Sequence, residues 1–313
     1  MTAPSPARRR RPRRAVVIGV LVAVMALVGA AAAVWALTRP PSAADAAEKY
    51  LTALSEGDFE TISEMREPLA DAASEAALVD AFAGATYGSA PRVEHETATS
   101  DATVFRGSLD LDGERRDVAF ALSVRDGRWM LRNDYLATLA VTTTLGDSVW
   151  VGDALVPAGT VSLLPAVYPV HPAPTGILTG GSAAVVTNTE DVTVQVEAML
   201  ADDAVAQAQT RLDVYLDQCT VPATSLPEAC GIRVPWAADL ATLDGLAYRV
   251  EQRPSISLSP TDGTFAATGG VLVATASGTT RDGTAGSFTY RADDWALYGS
   301  LTFTGDEMLL AVR

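Results

Sequence analysis

The chain is poor in the residues that most often carry chemistry. Its 313 residues include two cysteines, two histidines and a single lysine, Lys49, against 22 arginines. Each shortage excludes something. Neither serine nor glycine-rich sequence stands before Lys49 at the right distance, so there is no SxxK and no Walker A loop. The pair Gly180-Gly181 is not a GxGxxG and opens no helix. A zinc site needs three or four ligands at set spacing. His95 lies in a strand-like run and His171 in the proline-rich turn YPVHPAP, neither with a second histidine or cysteine at ligand spacing. Both are expected on the solvated surface. No GxSxG elbow supports a serine nucleophile. No Asp-x-Asp-x-Asp loop accompanies the Asp-Gly-Thr triplets at 262 and 282, which leaves calcium unsupported. No cofactor and no metal site are expected.

Positive charge is concentrated at one end. Residues 1–14, MTAPSPARRRRPRR, hold Arg8, Arg9, Arg10, Arg11, Arg13 and Arg14 and no acid. From Ala15 to Leu37 run 23 uncharged, mostly apolar residues. That is about 34 Å as a helix, where a bilayer core needs roughly 20 residues. Only Arg39 stands close behind, so the positive-inside rule keeps the N-terminus cytoplasmic, and Trp35 sits where an interfacial aromatic would. The competing reading is a cleaved signal peptide, but its apolar core is usually about 7–15 residues, and here Pro40-Pro41 comes after a longer run. The expectation is a basic tail at 1–14, an uncleaved transmembrane helix at 15–37, a linker at 38–43 and an ectodomain outside the cytoplasm.

That ectodomain is acidic. The whole chain is −15, and without the six tail arginines the remainder is −21. Such a charge argues against nucleic acid and against a close hold on an anionic membrane or wall polymer. It suits a basic partner or loosely held cations. Arginine in place of lysine, with abundant Ala, Gly, Val and Thr, reads as a GC-rich, actinobacterium-like source.

Periodicity divides the ectodomain into three parts. SAADAAEKYLTALSEG predicts a helix with Ser42 as cap and Gly57 as stop, and DFETISEM restarts one behind Asp58. PLADAASEAALVDAFAG predicts a third, starting at Pro68, with a face of Leu69, Ala72, Ala76, Val79 and Phe82 and an end at Gly84. The period then changes to two. RVEHETA, ATVFRGSLDL, RRDVAFALSV and RWMLRND read as four strands, with hairpin turns at Asp112-Gly113 and Asp126-Gly127. Helices leading into a meander form an α+β layout over 44–140. Residues 141–200 are short apolar pieces cut by Gly152-Asp153, Pro157-Ala158-Gly159 and Pro165, a small all-β module. Residues 201–313 open with a helix whose stripe is Val205, Ala208, Leu212, Tyr215, Leu216 and Cys219, capped by Asp202 or Asp203. A meander comes next, with turns at Asp262-Gly263, Gly269-Gly270 and Asp282-Gly283. It repeats the logic of 44–140 as a second helix-plus-meander α+β unit.

The opening AAEKYLTALSEGDFETISEM, with a third helix and four strands behind it, resembles the NTF2-like cone domain of membrane-anchored bacterial envelope proteins. The local cue is Y-L-x-A-L-x-x-G-D-F over residues 50–59. The segment V-x-V-G-D…V-P-A-G-T-V-x-L-L-P-A-V-Y is similar to β-repeats of envelope proteins of the teicoplanin-resistance-associated type, with Ala166 where those usually carry glycine. The resemblance implies a wall-facing protein in which the cone serves as an enzyme in some members and as a binding or spacer module in many. The β-repeat motif is implied to be a structural turn.

Carboxylates are the remaining chemical candidates. Asp112, Asp126, Asp153, Asp262 and Asp282 fall in turns, where capping of backbone N–H groups accounts for them. Glu94, Asp117 and Asp134 are placed to point into a cone, the setting in which cone-fold isomerases and glycosidases use carboxylates. Trp129, Trp150, Trp236 and Trp295 read as core, with a sugar-stacking platform as the alternative.

Cys219 closes the apolar helix stripe, and Cys230 stands beyond a proline-rich loop. In an oxidising compartment two cysteines with none left over predict a disulfide, worth about 3 kcal/mol for such a loop. A redox pair would more often be C-x-x-C, and two cysteines alone cannot build a zinc site. Free thiols are the alternative.

These readings converge on a single-pass membrane protein acting as a non-catalytic binding or scaffold module in the bacterial envelope. Its partners would be the membrane through one helix, and another envelope protein or a cell-wall fragment, with no nucleic acid. The oligomeric state is left open. The alternative is an extracytoplasmic enzyme using a carboxylate in the cone on a wall-derived or small-molecule substrate.

Overall fold

Three helices come first in the computed structural model, which describes residues 42–313. The arginine tail and the apolar run from Ala15 to Leu37 lie outside the described residues. Among the described residues no helix is long and apolar enough to cross a membrane.

Helix α1, Ala43–Glu56, starts where Ser42 and Asp45 exchange hydrogen bonds between side chain and backbone N–H (2.9 and 3.2 Å). This reciprocal cap satisfies two N–H groups that a helix start leaves without partners. Helix α2, Phe59–Glu64, is capped by Asp58, whose carboxylate accepts from Thr61 N–H at 3.0 Å. Helix α3, Ala72–Ala83, starts at Asp71, not at Pro68. The carboxylate of Glu75 reaches back to the Leu69 N–H (2.9 Å) and holds residues 66–70 as a non-helical corner. The buried face of α3 is Leu78, Ala81 and Phe82, rotated from the predicted stripe because α3 packs against strands of the middle segment.

Strands β1 (Ser89–Ala98), β2 (Thr103–Leu111), β3 (Glu114–Arg125) and β4 (Arg128–Leu131) form an antiparallel sheet in that order. Both predicted hairpins are present: Asp112, Gly113, Asp126 and Gly127 all have positive φ, which two-residue turns matching the strand twist require.

The middle segment holds β5 (Ala137–Thr143), β6 (Ser148–Val151), β7 (Ala154–Pro157), β8 (Gly159–Leu163), β9 (Ala166–Pro172), β10 (Leu178–Thr179), β11 (Ser182–Val186), β12 (Val192–Val196) and β13 (Met199–Leu200). One sheet is β11-β9-β6-β7; another is β12-β5-β8, in which β12 and β5 run parallel. Gly152, in the β6–β7 turn, has φ +56, and a Cβ there would lie 2.1 Å from the Ala81 carbonyl oxygen. Only glycine lets α3 approach so closely.

Helix α4, Ala204–Cys219, leads into β14 (Leu240–Gln252), β15 (Ser255–Ser259), β16 (Thr264–Thr280), β17 (Ala285–Thr304) and β18 (Glu307–Val312). The order is β14-β16-β17-β18, with β15 also paired to β16. Gly269-Gly270 is not a turn. It is a register shift inside one 17-residue strand, and β17 likewise runs unbroken for 20 residues. Glycine pairs in a strand mark a bulge as readily as a reversal. On α4 the buried stripe is Ala204, Ala208, Leu212, Leu216 and Cys219, whereas Val205 is 42% exposed. Asp203 occupies the cap position without a side-chain hydrogen bond. Ile177, Leu178 and Ala198 belong to the same buried cluster as Leu212, Trp295 and Phe303, so the middle segment and the C-terminal sheet share a core. The architecture is mixed α+β, mostly strands with few helices.

Candidate binding cleft

The 144–147 connection and residues Ala198, Met199 and Leu200, the last two forming β13, face the ends of β15 and β17 across a cleft of about 750 Å³. Its walls carry the hydroxyls of Thr144, Thr261, Thr302 and Thr304 and the apolar side chains of Leu145 and Met199, the last 62% exposed. Its carboxylate is Asp147. One oxygen of Asp147 accepts from the Ser148 hydroxyl (2.8 Å) and from the Gly305 N–H (2.9 Å). Those two bonds hold its carboxyl below the usual aspartate range, because both favour the ionised form. Beside it, Asp306 accepts from the Thr175 N–H (2.7 Å) and the Trp150 indole N–H (3.3 Å). The β17–β18 turn is thus pinned to the middle segment by one carboxylate from each side. Asp147 is a fixed acceptor whose preferred state is charged, a poor proton donor and a good fastener.

The space between the N-terminal helices and their sheet is filled by rings. Tyr50 meets Phe120 at 4.7 Å and Phe105 meets Phe120 at 5.4 Å between centroids, and Tyr168 is buried with its hydroxyl donating to the Leu164 carbonyl (2.8 Å). Burial drives both the Tyr50 and Tyr168 hydroxyls well above the usual tyrosine value. At the edge of this core the Arg66 side chain is 1% exposed. It pairs with Glu75, donates to the Glu67 carbonyl (3.0 Å) and lies over the Phe59 ring at 5.7 Å.

The carboxylates placed toward a cone point outward. Glu94 is exposed and accepts from the buried Ser108 hydroxyl (2.6 Å). Asp117 is exposed, and Asp134 is paired with Arg132 at 2.8 Å, its side chain 54% exposed. They do not converge. Of the turn aspartates, Asp282 accepts from the Thr284 N–H (3.2 Å), and the Thr280 and Thr284 hydroxyls hold its carboxyl low. His95 and His171 are both exposed, and a His171 ring nitrogen lies 3.4 Å from the Gly180 carbonyl. Among the described residues no group of three His, Cys, Asp or Glu is placed to hold a metal.

Trp295 is buried, Trp236 packs against the core, and Trp129 and Trp150 are half-buried. They form no common platform. Cys219 and Cys230 are bonded, with Cα atoms 5.7 Å apart. The Trp295 indole donates to the Cys230 carbonyl (2.9 Å), and Ala223 bridges Leu246. The disulfide loop is therefore a lid stitched onto the long sheet.

Two fasteners had no sequence signal. One is the Asp147–Gly305 contact. The other is Asn188, whose amide oxygen accepts from the Ala119 N–H (2.8 Å) while its nitrogen donates to the Ala119 and Tyr135 carbonyls. It completes the edge of β3 beyond the reach of β4. Both depend on partners far away in sequence, which no local pattern records.

No protein-family model, no curated protein and no solved structure matches this chain.

Proposed function

We propose that this chain is a single-pass, membrane-anchored extracytoplasmic protein of the bacterial envelope that binds another envelope protein or a cell-wall fragment without transforming it. In this reading residues 44–140 are an NTF2-like cone acting as a spacer, residues 141–200 a β-repeat of the teicoplanin-resistance-associated type, and residues 201–313 a second, cone-like unit. The arginine tail and the 15–37 apolar run support the anchor, and the Cys219–Cys230 bond suits an oxidising compartment. The observation that carries the binding reading is the cleft beside Asp147. It is open, mixes hydroxyls with apolar surface, and its carboxylate is engaged by Ser148 and Gly305. Ligand sites of this composition hold and orient, whereas acid–base chemistry needs a carboxyl free to exchange a proton. The competing enzyme reading needs Glu94, Asp117 or Asp134 inside an enclosed site, and none of the three is buried.

Crosslinking in the native envelope, with identification of what is captured, tests the proposal. Specific capture of one envelope protein or of wall material is the expected result. Turnover of a wall-derived substrate by the purified protein, with nothing captured, overturns it.

A further inference from the structure

Positive charge is absent from the walls of the cleft beside Asp147 and from the stretches of chain that supply them. The lining residues come from 133–210, 254–280 and 292–312. Those three stretches hold thirteen aspartates and glutamates and no lysine or arginine. Elsewhere arginines take up the acids: Arg253 pairs with Asp213 and Asp217, and Arg291 with Glu251 and Asp293. Of the thirteen, only Asp134 and Asp293, at the borders of the stretches, pair with an arginine among the described residues. Asp306, beside the cleft, is met by neutral donors alone, the Thr175 and Trp150 N–H groups. The arginines that follow these stretches do not reach the cleft. Arg211 is committed to the Met308 carbonyl, and Arg313 stands opposite Tyr298, at the end of β18 away from the β17–β18 turn.

Two details of the cleft select among cations. The first is how Asp147 is held. Its Oδ1 already accepts twice, from the Ser148 hydroxyl and the Gly305 N–H, and an oxygen with two lone pairs is then full. Oδ2 keeps at least one lone pair beside the Thr304 hydroxyl, which also favours the charged form. A guanidinium fork seats on both oxygens at once, whereas an ammonium is a compact point charge that one oxygen can serve. The second detail is the apolar wall. Met199, 62% exposed, and Leu145 line the same cleft as the exposed Asp147. Methionine adapts its shape to what it meets, and lysine lays its four-carbon stem on apolar surface while its charged head stays wet.

We infer that this cleft seats a lysine side chain of a basic protein partner, its ammonium on Oδ2 of Asp147 and its stem along Met199 and Leu145. Asp202, Asp203, Asp306 and Glu307 flank the lining residues in sequence and have no cationic partner among the described residues. That is more negative charge than one ammonium can meet, so the partner carries further cations beside this lysine. The same field speeds the approach of a basic chain and repels anionic polymers. This inference rests on the binding reading and names the kind of partner and the side chain that enters the cleft.

The test uses the full-length protein in detergent at low salt and the dye-labelled peptide Gly-Lys-Ser-Leu-Lys-Leu-Ser-Lys-Gly, read by fluorescence anisotropy. Two further peptides carry arginine or norleucine at the central position. Saturable binding of the lysine peptide is expected, with the arginine peptide weaker and the norleucine peptide weaker by about tenfold. Asp147→Asn keeps an oxygen for Ser148 and Gly305 but should weaken the lysine peptide about fivefold, the upper range of an exposed ion pair, and leave the norleucine peptide unchanged. Met199→Ser should weaken both. Asp244→Asn, near Gly278 in β16, removes the same charge far from the cleft and should stay within about twofold. Thermal melts of each variant check folding. Failure of the lysine peptide to bind, equal binding of the norleucine or arginine peptide, or an equal effect of Asp147→Asn and Asp244→Asn overturns the inference. Crosslinking in the native envelope that captures only wall material, or a protein whose capture ignores Asp147→Asn, overturns it too and leaves the binding-module reading standing. Turnover of a wall-derived substrate with nothing captured, alongside lysine-peptide binding that depends on Asp147, does the reverse: the cleft keeps its lysine and the non-catalytic reading falls.

Discussion

Residues 47–131 and residues 204–312 both lead with helix and continue as an antiparallel meander, yet they cover their sheets differently. In the first, strands of 4–12 residues face helices across the Tyr50, Phe105 and Phe120 rings. In the second, one 16-residue helix faces strands of 17 and 20 residues and packs mainly toward β15 and β18. The rest of that sheet is closed by the 220–239 loop, tied at Cys219–Cys230, at Ala223–Leu246 and at Trp295. A packed aromatic interior and a cross-linked loop are two ways to bury one sheet face. The first needs apolar volume; the second needs few residues but a covalent tie.

Substitutions can break this contrast, starting from the packed end. Phe120→Ala should cost about 3–5 kcal/mol in urea unfolding, because it leaves a cavity among fully buried rings. If it costs less than about 1 kcal/mol, the N-terminal interior is not held by packing. Replacing both cysteines by serine should cost about 3 kcal/mol for a sequence separation of 11. Hydrogen exchange should quicken over 220–239 before it quickens in β1–β4; uniform acceleration would contradict the lid.

Next is Glu75→Gln, expected to cost about 2 kcal/mol through loss of a charge-assisted partner for the buried Arg66. It also has a pH signature. Burial pushes the Glu75 carboxyl up, but the Arg66 guanidinium and the Leu69 N–H outweigh it and hold it below its ordinary value near 4.5. A depressed folded value means the contribution is complete above about pH 4.5 and fades as pH falls through the folded value. Wild type and E75Q should therefore converge in stability in acid and separate toward neutrality. A constant gap would rule out the ion pair. The smallest expected effect is Asn188→Ala, about 1–2 kcal/mol from stranding the Ala119 backbone groups, seen as a lowered urea midpoint at unchanged slope.

Much of this contrast was legible in sequence. The caps at Ser42 and Asp58, the two Asp-Gly hairpins and the change of period from helix to strand appear as read, since each depends on residues within four positions. Cys219 at the end of an apolar stripe foretold its inward direction. Legibility failed where distant partners intervened. Glu75 bonding Leu69 moved the start of α3 past Pro68, and packing on β7 and β8 turned its buried face. Long-strand pairing absorbed Gly269-Gly270 into β16. Glu94, Asp117 and Asp134 alternate as candidates for an interior that Tyr50 and Phe120 already fill.

The sequence alone determined much of the local alphabet of this protein: the helix caps at Ser42 and Asp58, the turns at Asp112-Gly113 and Asp126-Gly127, and the pairing of its two cysteines. These depend on dihedral preference and near-neighbour hydrogen bonding. Tertiary structure decided everything that needs two surfaces to meet. It buried Arg66 against Glu75 and locked Asp147 onto Gly305. Whether a carboxylate is engaged depends on what stands opposite it, and that neighbour is supplied by pairing and packing across many residues of chain.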